Sequence, residues 1–248
     1  MTEFLKKHKN KLIAAGVVLA TLICAFSIYV GIYYRADDEA VSDYMSASGV
    51  KVSETARYFA VGNEAANRGL IFYPGGKVEP SAYLPLAAEL ARQGIFTVIV
   101  KMPFNLAVFG INAANRVMRK YSSVKSWYIG GHSLGGSMAA EYAAKHADKL
   151  SGVVLLGAYS NVNLAPTGLP VFVAYGSEDR VLNMEKFESK LENLPSNRSE
   201  LIIAGGNHAG FGMYGAQRKD GEATISNAQQ MKITAEMVSG FTRANEKK

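Results

Sequence analysis

Residues 127–146, WYIGGHSLGGSMAAEYAAKH, place Ser133 among glycines at the point where a short apolar run gives way to a helical pattern. A nucleophile on a sharp turn from strand to helix has strained backbone angles, and its neighbours must be very small because strand and helix nearly collide there. Gly131, Gly135 and Gly136 meet that requirement. The stretch therefore predicts a strand, a tight turn carrying Ser133, and a helix whose N-terminus favours negative charge developing at the turn.

Short apolar runs alternate with helical segments on both sides of this stretch. The runs are GLIFYPGG (69–76), IFTVIVKMP (95–103), GVVLLGA (152–158), PVFVAYG (170–176) and ELIIAGG (200–206). Buried parallel strands have this continuous apolar character, so we predict an α/β fold, a mostly parallel sheet with helices on both faces. Residues 50–61 alternate apolar and polar side chains, which is typical of an edge strand.

A segment of 23 residues, 12–34, carries no charge. It is long enough to cross a hydrocarbon core of about 30 Å at about 1.5 Å per residue, so we predict a transmembrane helix. Lysines precede it and acidic residues follow Arg35. The positive-inside rule then places the N-terminus in the cytoplasm and the rest of the protein outside a single-pass cell-membrane anchor.

Two other interpretations of this segment are a cleaved signal peptide and a lipoprotein signal. An apolar signal core usually has about 7 to 15 residues and precedes a small-x-small cleavage site, which is not evident here. Bulky Ile23 stands where a lipidated Cys24 needs a small neighbour. Cys24 is the only cysteine, so the exported part has neither an internal disulfide nor a thiol nucleophile.

The charge of the protein is concentrated at its N-terminus. Of the formal net charge of +6 over 248 residues, +4 comes from the first 35. The residues responsible are Lys6, Lys7, Lys9, Lys11 and Arg35, against Glu3. About +2 remains for everything else, which argues against a nucleic-acid partner. The length and the apolar fraction of 48% suit one main domain.

In a parallel sheet the functional site lies beyond the carboxyl ends of the strands. Asp179 follows one apolar run, with Glu178 as the rival carboxylate and Glu185 as the next alternative. His208 follows another run and lies near glycines. The other three histidines are poor candidates for a base. His8 lies in the tail, His132 lies beside Ser133 in its turn, and His146 lies at the end of the next helix.

Residues 72–78, FYPGGKV, follow the earliest of the parallel runs. Glycines let a backbone approach a ligand closely, and free N–H groups in such a turn can point at an oxyanion. We expect one donor to come from Gly75, Gly76 or Lys77 in this loop, and its partner to be the N–H of Leu134.

The order oxyanion loop, serine, acid and histidine, each at a strand end, resembles the α/β-hydrolase family from about Val50 to the C-terminus. YPGGKV, VKMPFNLAVFGINAAN, WYIGGHSLGG, YGSEDRVLN and GGNHAGFGMYGAQ look like the compact single-domain group often attached to a membrane by an N-terminal helix. The resemblance implies Ser133 as nucleophile, His208 as general base and Asp179 as the orienting acid, acting through an acyl-enzyme. It also implies an oxyanion hole formed by Leu134 and Gly76.

The expected domain organisation is a cytoplasmic tail at 1–11, a transmembrane anchor at 12–34, a linker at 35–49 and the hydrolase domain at 50–248. Only residues 158–169 separate two of the late strands, too few for a lid domain, so an open site is expected. Its apolar walls are expected to bind an acyl or aryl group, although the same side chains also suit core packing. The expected substrate-binding residues are Phe104, Leu106, Phe109, Phe211, Met213 and Tyr214.

No metal or other cofactor is expected. No second histidine or carboxylate stands at ligand spacing near His208, and GGHSLGG lacks the lysine of a phosphate-binding loop. The sequence predicts a membrane-anchored, outward-facing serine hydrolase acting on small esters or acyl compounds. An acyltransferase or peptidase with the same triad, or a non-catalytic binding protein on the same fold, are the alternatives.

Overall fold

The computed structural model describes residues 2–246. These form two compact units that divide between Tyr33 and Tyr34. The first contains helix α1 (Thr2–Gly31), of which His8–Gly31 is long and apolar enough to be a candidate membrane span, with a mean hydropathy of 2.4. Residue 1 of the predicted tail and residues 247–248 of the predicted hydrolase domain lie outside the described residues.

The second unit, within residues 34–246, alternates strands and helices. The strands are β1 (Val52–Glu54), β2 (Tyr58–Val61), β3 (Arg68–Tyr73), β4 (Ile95–Val100), β5 (Ser126–His132), β6 (Gly152–Leu156), β7 (Val171–Gly176) and β8 (Ser199–Ile203). The helices are α2 (Asp38–Ser48), α3 (Leu84–Arg92), α4 (Ala114–Lys120), α5 (Leu134–Lys145), α6 (Met184–Ser189) and α7 (Asn227–Ala244).

The eight strands of this part of the chain form one sheet in the order β1-β2-β4-β3-β5-β6-β7-β8. All neighbours from β4 to β8 pair in parallel, and β1 with β2 and β2 with β4 pair antiparallel. Every residue of β4 and β7 is buried, as the continuous apolar runs predicted. The predicted α/β fold with a mostly parallel sheet is confirmed.

Successive side chains of a strand point to opposite faces of the sheet, and helices pack against the apolar side chains on both faces. Ile71, Ile129 and Val153 join a core that includes the buried alanines of α5. Leu70 and Phe72 join a second core with residues of α3 and α7. Because these strands run in parallel, the carboxyl ends of β3, β5, β7 and β8 lie along the same edge of the sheet, between the two helical layers.

The predicted edge strand at 50–61 is two strands. Three residues, 55–57, form a turn between β1 and β2, in which Thr55 N donates to Tyr58 O at 2.9 Å and the Thr55 hydroxyl bonds the same carbonyl. A threonine side chain that satisfies nearby backbone groups competes with a continuous strand. Of these two strands only β1, whose three residues are all exposed, occupies an edge of the sheet, and β8 occupies the opposite edge.

The segment predicted as a linker, 35–49, contains α2. The Asp37 side chain accepts a hydrogen bond from Ala40 N at 3.1 Å and caps the helix, and Gly49 ends it with φ of 64°. Val41 is buried, and the Tyr44 hydroxyl donates to Glu89 of α3 at 2.9 Å. The polar composition suggested a linker, but cap residues at both ends and the packing of Val41 and Met45 against the core stabilise a short helix here.

The predicted anchor was expected to continue to Tyr34, but α1 ends at Gly31. Tyr34 instead forms an isolated parallel bridge with Val78, in which Tyr34 N donates to Lys77 O at 2.8 Å and Glu79 N donates to Tyr34 O at 2.9 Å. These extended-chain hydrogen bonds exclude a helical conformation at Tyr34, which therefore belongs to the second unit.

Candidate active site

Ser133 occupies the single residue between β5 and α5. Its backbone has φ of 52° and ψ of −123°, a combination that residues with a Cβ rarely adopt. Such a conformation costs on the order of 1–3 kcal/mol and persists only where the surrounding structure enforces it. Here Ser133 N donates to Leu156 O of β6 at 2.9 Å, which fixes the turn to the neighbouring strand.

The glycines beside Ser133 are required by the close approach of β3. A Cβ on Gly131 would lie 2.3 Å from the Tyr73 carbonyl oxygen, and a Cβ on Gly135 would lie 2.0 Å from the same atom. On Gly136, a Cβ would come within 2.6 Å of Ala158 Cβ. All three distances are shorter than van der Waals contact, so the turn excludes any side chain at these positions.

Asp179 and His208 meet at the ends of β7 and β8. Their side chains are 0% and 1% exposed, and His208 Nδ1 lies 2.7 Å from Asp179 Oδ2. The other carboxylate oxygen of Asp179 accepts hydrogen bonds from Val181 N at 2.9 Å and Leu182 N at 2.8 Å. The carboxylate is thus held on one side by backbone donors and presents its second oxygen to the imidazole.

The second ring nitrogen of His208 is available for chemistry. His208 Nε2 is buried and has no hydrogen-bond partner within residues 2–246. His208 and Ser133 line the same cavity. An imidazole whose Nδ1 donates to a carboxylate carries its basic lone pair on Nε2, which is the arrangement that accepts a proton from a serine.

The rival carboxylates do not reach the histidine. Glu178 accepts a hydrogen bond from the Ser177 hydroxyl at 3.1 Å, and its side chain is 35% exposed beside Arg180. Glu185 is an exposed residue in the first turn of α6. Of the three acids considered from the sequence, the structure brings Asp179 to His208.

The two expected oxyanion donors lie against each other. A Cβ on Gly76 would come within 2.8 Å of the Leu134 side chain. Leu134 is the first residue of α5, where an N–H group has no partner inside the helix. Of the other donors considered, Gly75 N donates to the Tyr83 hydroxyl at 3.1 Å and Lys77 N donates to Asn105 O at 2.7 Å. Engagement of those two N–H groups favours Gly76 as the second donor.

A second buried histidine supports the loop that carries Gly76. The Tyr83 hydroxyl accepts a hydrogen bond from Gly75 N at 3.1 Å and shares a second hydrogen bond with His132 Nδ1, 2.9 Å away. Burial, and then the nearby His208, hold the pKa of His132 well below its usual range, so its ring stays neutral. The ring centroids of His132 and His208 are 4.4 Å apart. Sequence analysis missed Tyr83, because only the fold brings this residue under the loop.

The cavity beside Ser133 has a volume of about 280 Å³. It extends toward the segments that follow β6 and β7, where Met138, Tyr159 and Leu182 provide apolar surface. A larger cavity of about 680 Å³ lies around Val52 and Arg92, and the residues around it include neither Ser133 nor His208. Of these two cavities, the smaller one is lined by both Ser133 and His208 and is therefore the candidate site.

None of the six expected substrate-binding residues is among those that line the cavity beside Ser133. Leu106, Phe211 and Tyr214 are core residues with exposures of 8%, 0% and 6%. Phe211, for example, packs with its ring centroid 5.4 Å from that of His132. The other three lie at the surface or are half-buried: Phe104, Phe109 and Met213.

Among the side chains that the structure describes, those of residues 8–246, no group of three or more histidine, cysteine, aspartate or glutamate residues could hold a metal ion.

Comparisons with known proteins agree on the fold. A family model described as the alpha/beta hydrolase family matches residues 69–232. No curated protein matches the sequence. A dienelactone hydrolase from Anabaena variabilis is similar in structure, with 16% identity, a TM-score of 0.59 and coverage of 80% of this chain and 99% of that one.

Two further similar structures are a bacterial membrane phospholipase A and an esterase. The phospholipase has 14% identity and a TM-score of 0.61, with coverage of 100% of both chains. The esterase, Est1E from Butyrivibrio proteoclasticus with ferulic acid bound, has 14% identity and a TM-score of 0.57, with coverage of 86% of this chain and 98% of that one. At such identities the likeness is one of fold.

Proposed function

The chain belongs to the α/β-hydrolase family, and we propose that it is a membrane-anchored, outward-facing serine hydrolase that cleaves carboxylic esters or related acyl compounds. One observation carries the proposal. The buried pair of Asp179 and His208, joined at 2.7 Å, leaves Nε2 of the histidine without a partner in the described chain, in the cavity that Ser133 also lines. Similar structures include proteins named as an esterase, a putative lipase and a membrane phospholipase A, which supports ester cleavage as the reaction.

The proposed reaction begins when Ser133 Oγ attacks the substrate carbonyl and His208 Nε2 accepts the serine proton. Asp179 stabilises the imidazolium, and the N–H groups of Leu134 and Gly76 bind the oxyanion. Collapse of the intermediate breaks the ester bond, and Nε2 returns the proton to the leaving alcohol. Water, activated by the same nitrogen, then attacks the acyl-enzyme and releases the acid with free Ser133.

The size of the cavity predicts a preference for short acyl groups. Ligand pockets usually measure roughly 300–1,000 Å³, and a cavity of about 280 Å³ lies just below that range. For the full-length protein in detergent micelles, we expect kcat/KM for p-nitrophenyl butyrate or hexanoate to exceed that for the palmitate by about tenfold or more.

The measurement is a series of p-nitrophenyl esters of graded acyl length, with the Ser133→Ala protein as background. Full-length protein is used because Tyr34 bonds the loop that follows Gly76. A rising preference for long acyl chains would contradict the proposed pocket. Hydrolysis of every ester at the background rate would contradict the proposed reaction.

We place the span at His8–Gly31 and the catalytic unit from Tyr34 onward, outside the membrane. Lys6 and Lys7 precede this span and Lys9 and Lys11 lie in its first turn, and this positive charge at the N-terminal end supports the orientation. Protease added to intact cells or spheroplasts is expected to digest the catalytic unit and spare an N-terminal tag. Permeabilised cells are the control, since both regions are then accessible. If the catalytic unit were cut only after permeabilisation, the orientation would be the opposite of the one proposed.

A further inference from the structure

The loop that carries His208 contains a single short 3₁₀ turn, Ala209–Phe211, with His208 at its N-terminal end. Gln230 of α7, which is 1% exposed, accepts a hydrogen bond from Asn207 N at 3.0 Å and donates to Asn207 O at 2.8 Å. The Asn207 side chain in turn accepts a hydrogen bond from Gly210 N at 2.9 Å. The side chains of Gln230 and Asn207 therefore form hydrogen bonds with the backbone of this loop, as neighbouring strands or helical turns do elsewhere.

A single carboxylate completes this support and extends it to the acid loop. Asp220 Oδ2 accepts a hydrogen bond from Ala209 N at 2.8 Å, and Oδ1 accepts one from His208 N at 3.2 Å. Asp220 Oδ1 also accepts hydrogen bonds from Arg180 N at 3.3 Å and from Gly221 N at 2.9 Å. Arg180 follows Asp179 directly, so the carboxylate joins the two loops whose side chains form the acid–histidine pair.

We propose that Asp220 is a positioning residue that sets the distance between Asp179 and His208. This inference rests on the proposed function, because it concerns the geometry of the proposed triad. Hydrogen bonds between a carboxylate and backbone N–H groups are stronger than those between neutral groups. They hold the two loops where Nδ1 of His208 meets the Asp179 carboxylate, and they therefore direct Nε2 toward Ser133. The Asn207 side chain adds a parallel tie by donating to Gly221 O at 2.8 Å.

An amide cannot replace this carboxylate. All four groups bonded to Asp220 are N–H donors. Asparagine has one accepting oxygen, and its NH₂ group would face a backbone donor. Asp220→Asn loses the bond from Ala209 N if its NH₂ group replaces Oδ2, and those from His208 N, Arg180 N and Gly221 N if it replaces Oδ1. Either loss loosens the loop of His208, and a shift of about 1 Å in a catalytic group is enough to lower the rate by about 100-fold.

The test compares Asp220→Asn, Asp220→Ala and Asp220→Glu with wild type in full-length protein. The matched control is Glu222→Gln, an exposed acid in the same loop. Active sites are titrated with a fluorophosphonate, and kcat per titrated site and KM are measured with p-nitrophenyl butyrate. Destabilisation alone lowers the number of titrated sites, whereas a misplaced histidine lowers kcat per site.

We expect Asp220→Asn and Asp220→Ala to lower kcat per site by about 10- to 100-fold with KM within about threefold of wild type. Asp220→Glu keeps the carboxylate and is expected to recover part of the loss, and Glu222→Gln to stay within about twofold of wild type. Values of kcat per site within twofold of wild type in Asp220→Asn would overturn this proposal alone. A wild-type protein that neither titrates nor turns over would overturn the proposed function and this inference with it.

Discussion

Replacement of Ser133 by alanine is expected to lower ester hydrolysis by about 10⁴-fold or more, because the proposed nucleophile is removed and the hydroxyl of Ser137, the other serine that lines the cavity, is engaged with Tyr159 O. Rates are measured as p-nitrophenyl butyrate hydrolysis per molecule of folded protein. The His208 base and the oxyanion donors remain in the variant, and they supply only the small residual rate that such sites give without a nucleophile.

The alanine variant is expected to fold normally. The Ser133 side chain makes no capping hydrogen bond to α5, and alanine meets the same steric restriction as serine at φ of 52°. The thermal midpoint is therefore expected to stay within a few degrees of wild type. Ser122→Ala, at an exposed position after α4, is the matched serine control and should leave the rate unchanged. Activity of Ser133→Ala within tenfold of wild type would exclude Ser133 as the nucleophile.

Asp179→Asn is expected to reduce turnover by about 10³- to 10⁴-fold. An asparagine amide can still accept the hydrogen bonds from Val181 N and Leu182 N through its oxygen. Its NH₂ group would then face His208 Nδ1, which favours the tautomer with the proton on Nε2. That tautomer cannot accept the proton of Ser133, so the loss should appear in kcat.

Glu178→Gln is the matched control for this variant, since it makes the same chemical change one residue earlier on a half-exposed side chain. Its turnover is expected to fall by less than about tenfold. Steady-state kinetics of both variants with the same ester decide the assignment. If the two effects were reversed, or if Asp179→Asn retained nearly full turnover, the orienting acid would not be Asp179.

The features of the site that follow from local sterics could be predicted from the sequence. At the turn of Ser133, β3 lies so close that the neighbouring residues cannot carry a side chain. The spacing of Gly131 and Gly135 around Ser133 indicates this close approach in the sequence. Asp179 and His208 could be proposed as partners, because parallel strands end at the same edge of a sheet. The structure brings these two side chains to hydrogen-bonding distance, and their roles in catalysis remain proposals.

The walls of the cavity could not be predicted in the same way. An apolar side chain near a catalytic residue can line a cavity or pack into the core, and the choice depends on the whole fold. Phe211 follows His208 closely in sequence but packs beneath it against His132. Met138 and Leu182, which line the cavity, lie within α5 and after β7, in segments assigned to other roles.

The support for the catalytic loops was also hidden in the sequence. Asp220 is 12 residues beyond His208 and 40 residues beyond Arg180. Hydrogen bonds from a side chain to a distant backbone leave no periodic pattern, so a D-G pair in a polar loop predicts only a turn. Helix α2 was missed for a related reason, because its composition is polar and its signals are confined to the caps at Asp37 and Gly49.

The central claim is that Ser133 is an activated nucleophile, and covalent labelling tests it most directly. Full-length protein is treated with a fluorophosphonate, digested and sequenced by mass spectrometry, with Ser133→Ala and Asp179→Asn treated in parallel. We predict one stoichiometric phosphonyl adduct on Ser133, no labelling of Ser133→Ala, and much slower labelling of Asp179→Asn. An adduct on another residue, or no adduct on a protein that hydrolyses esters, would contradict the account.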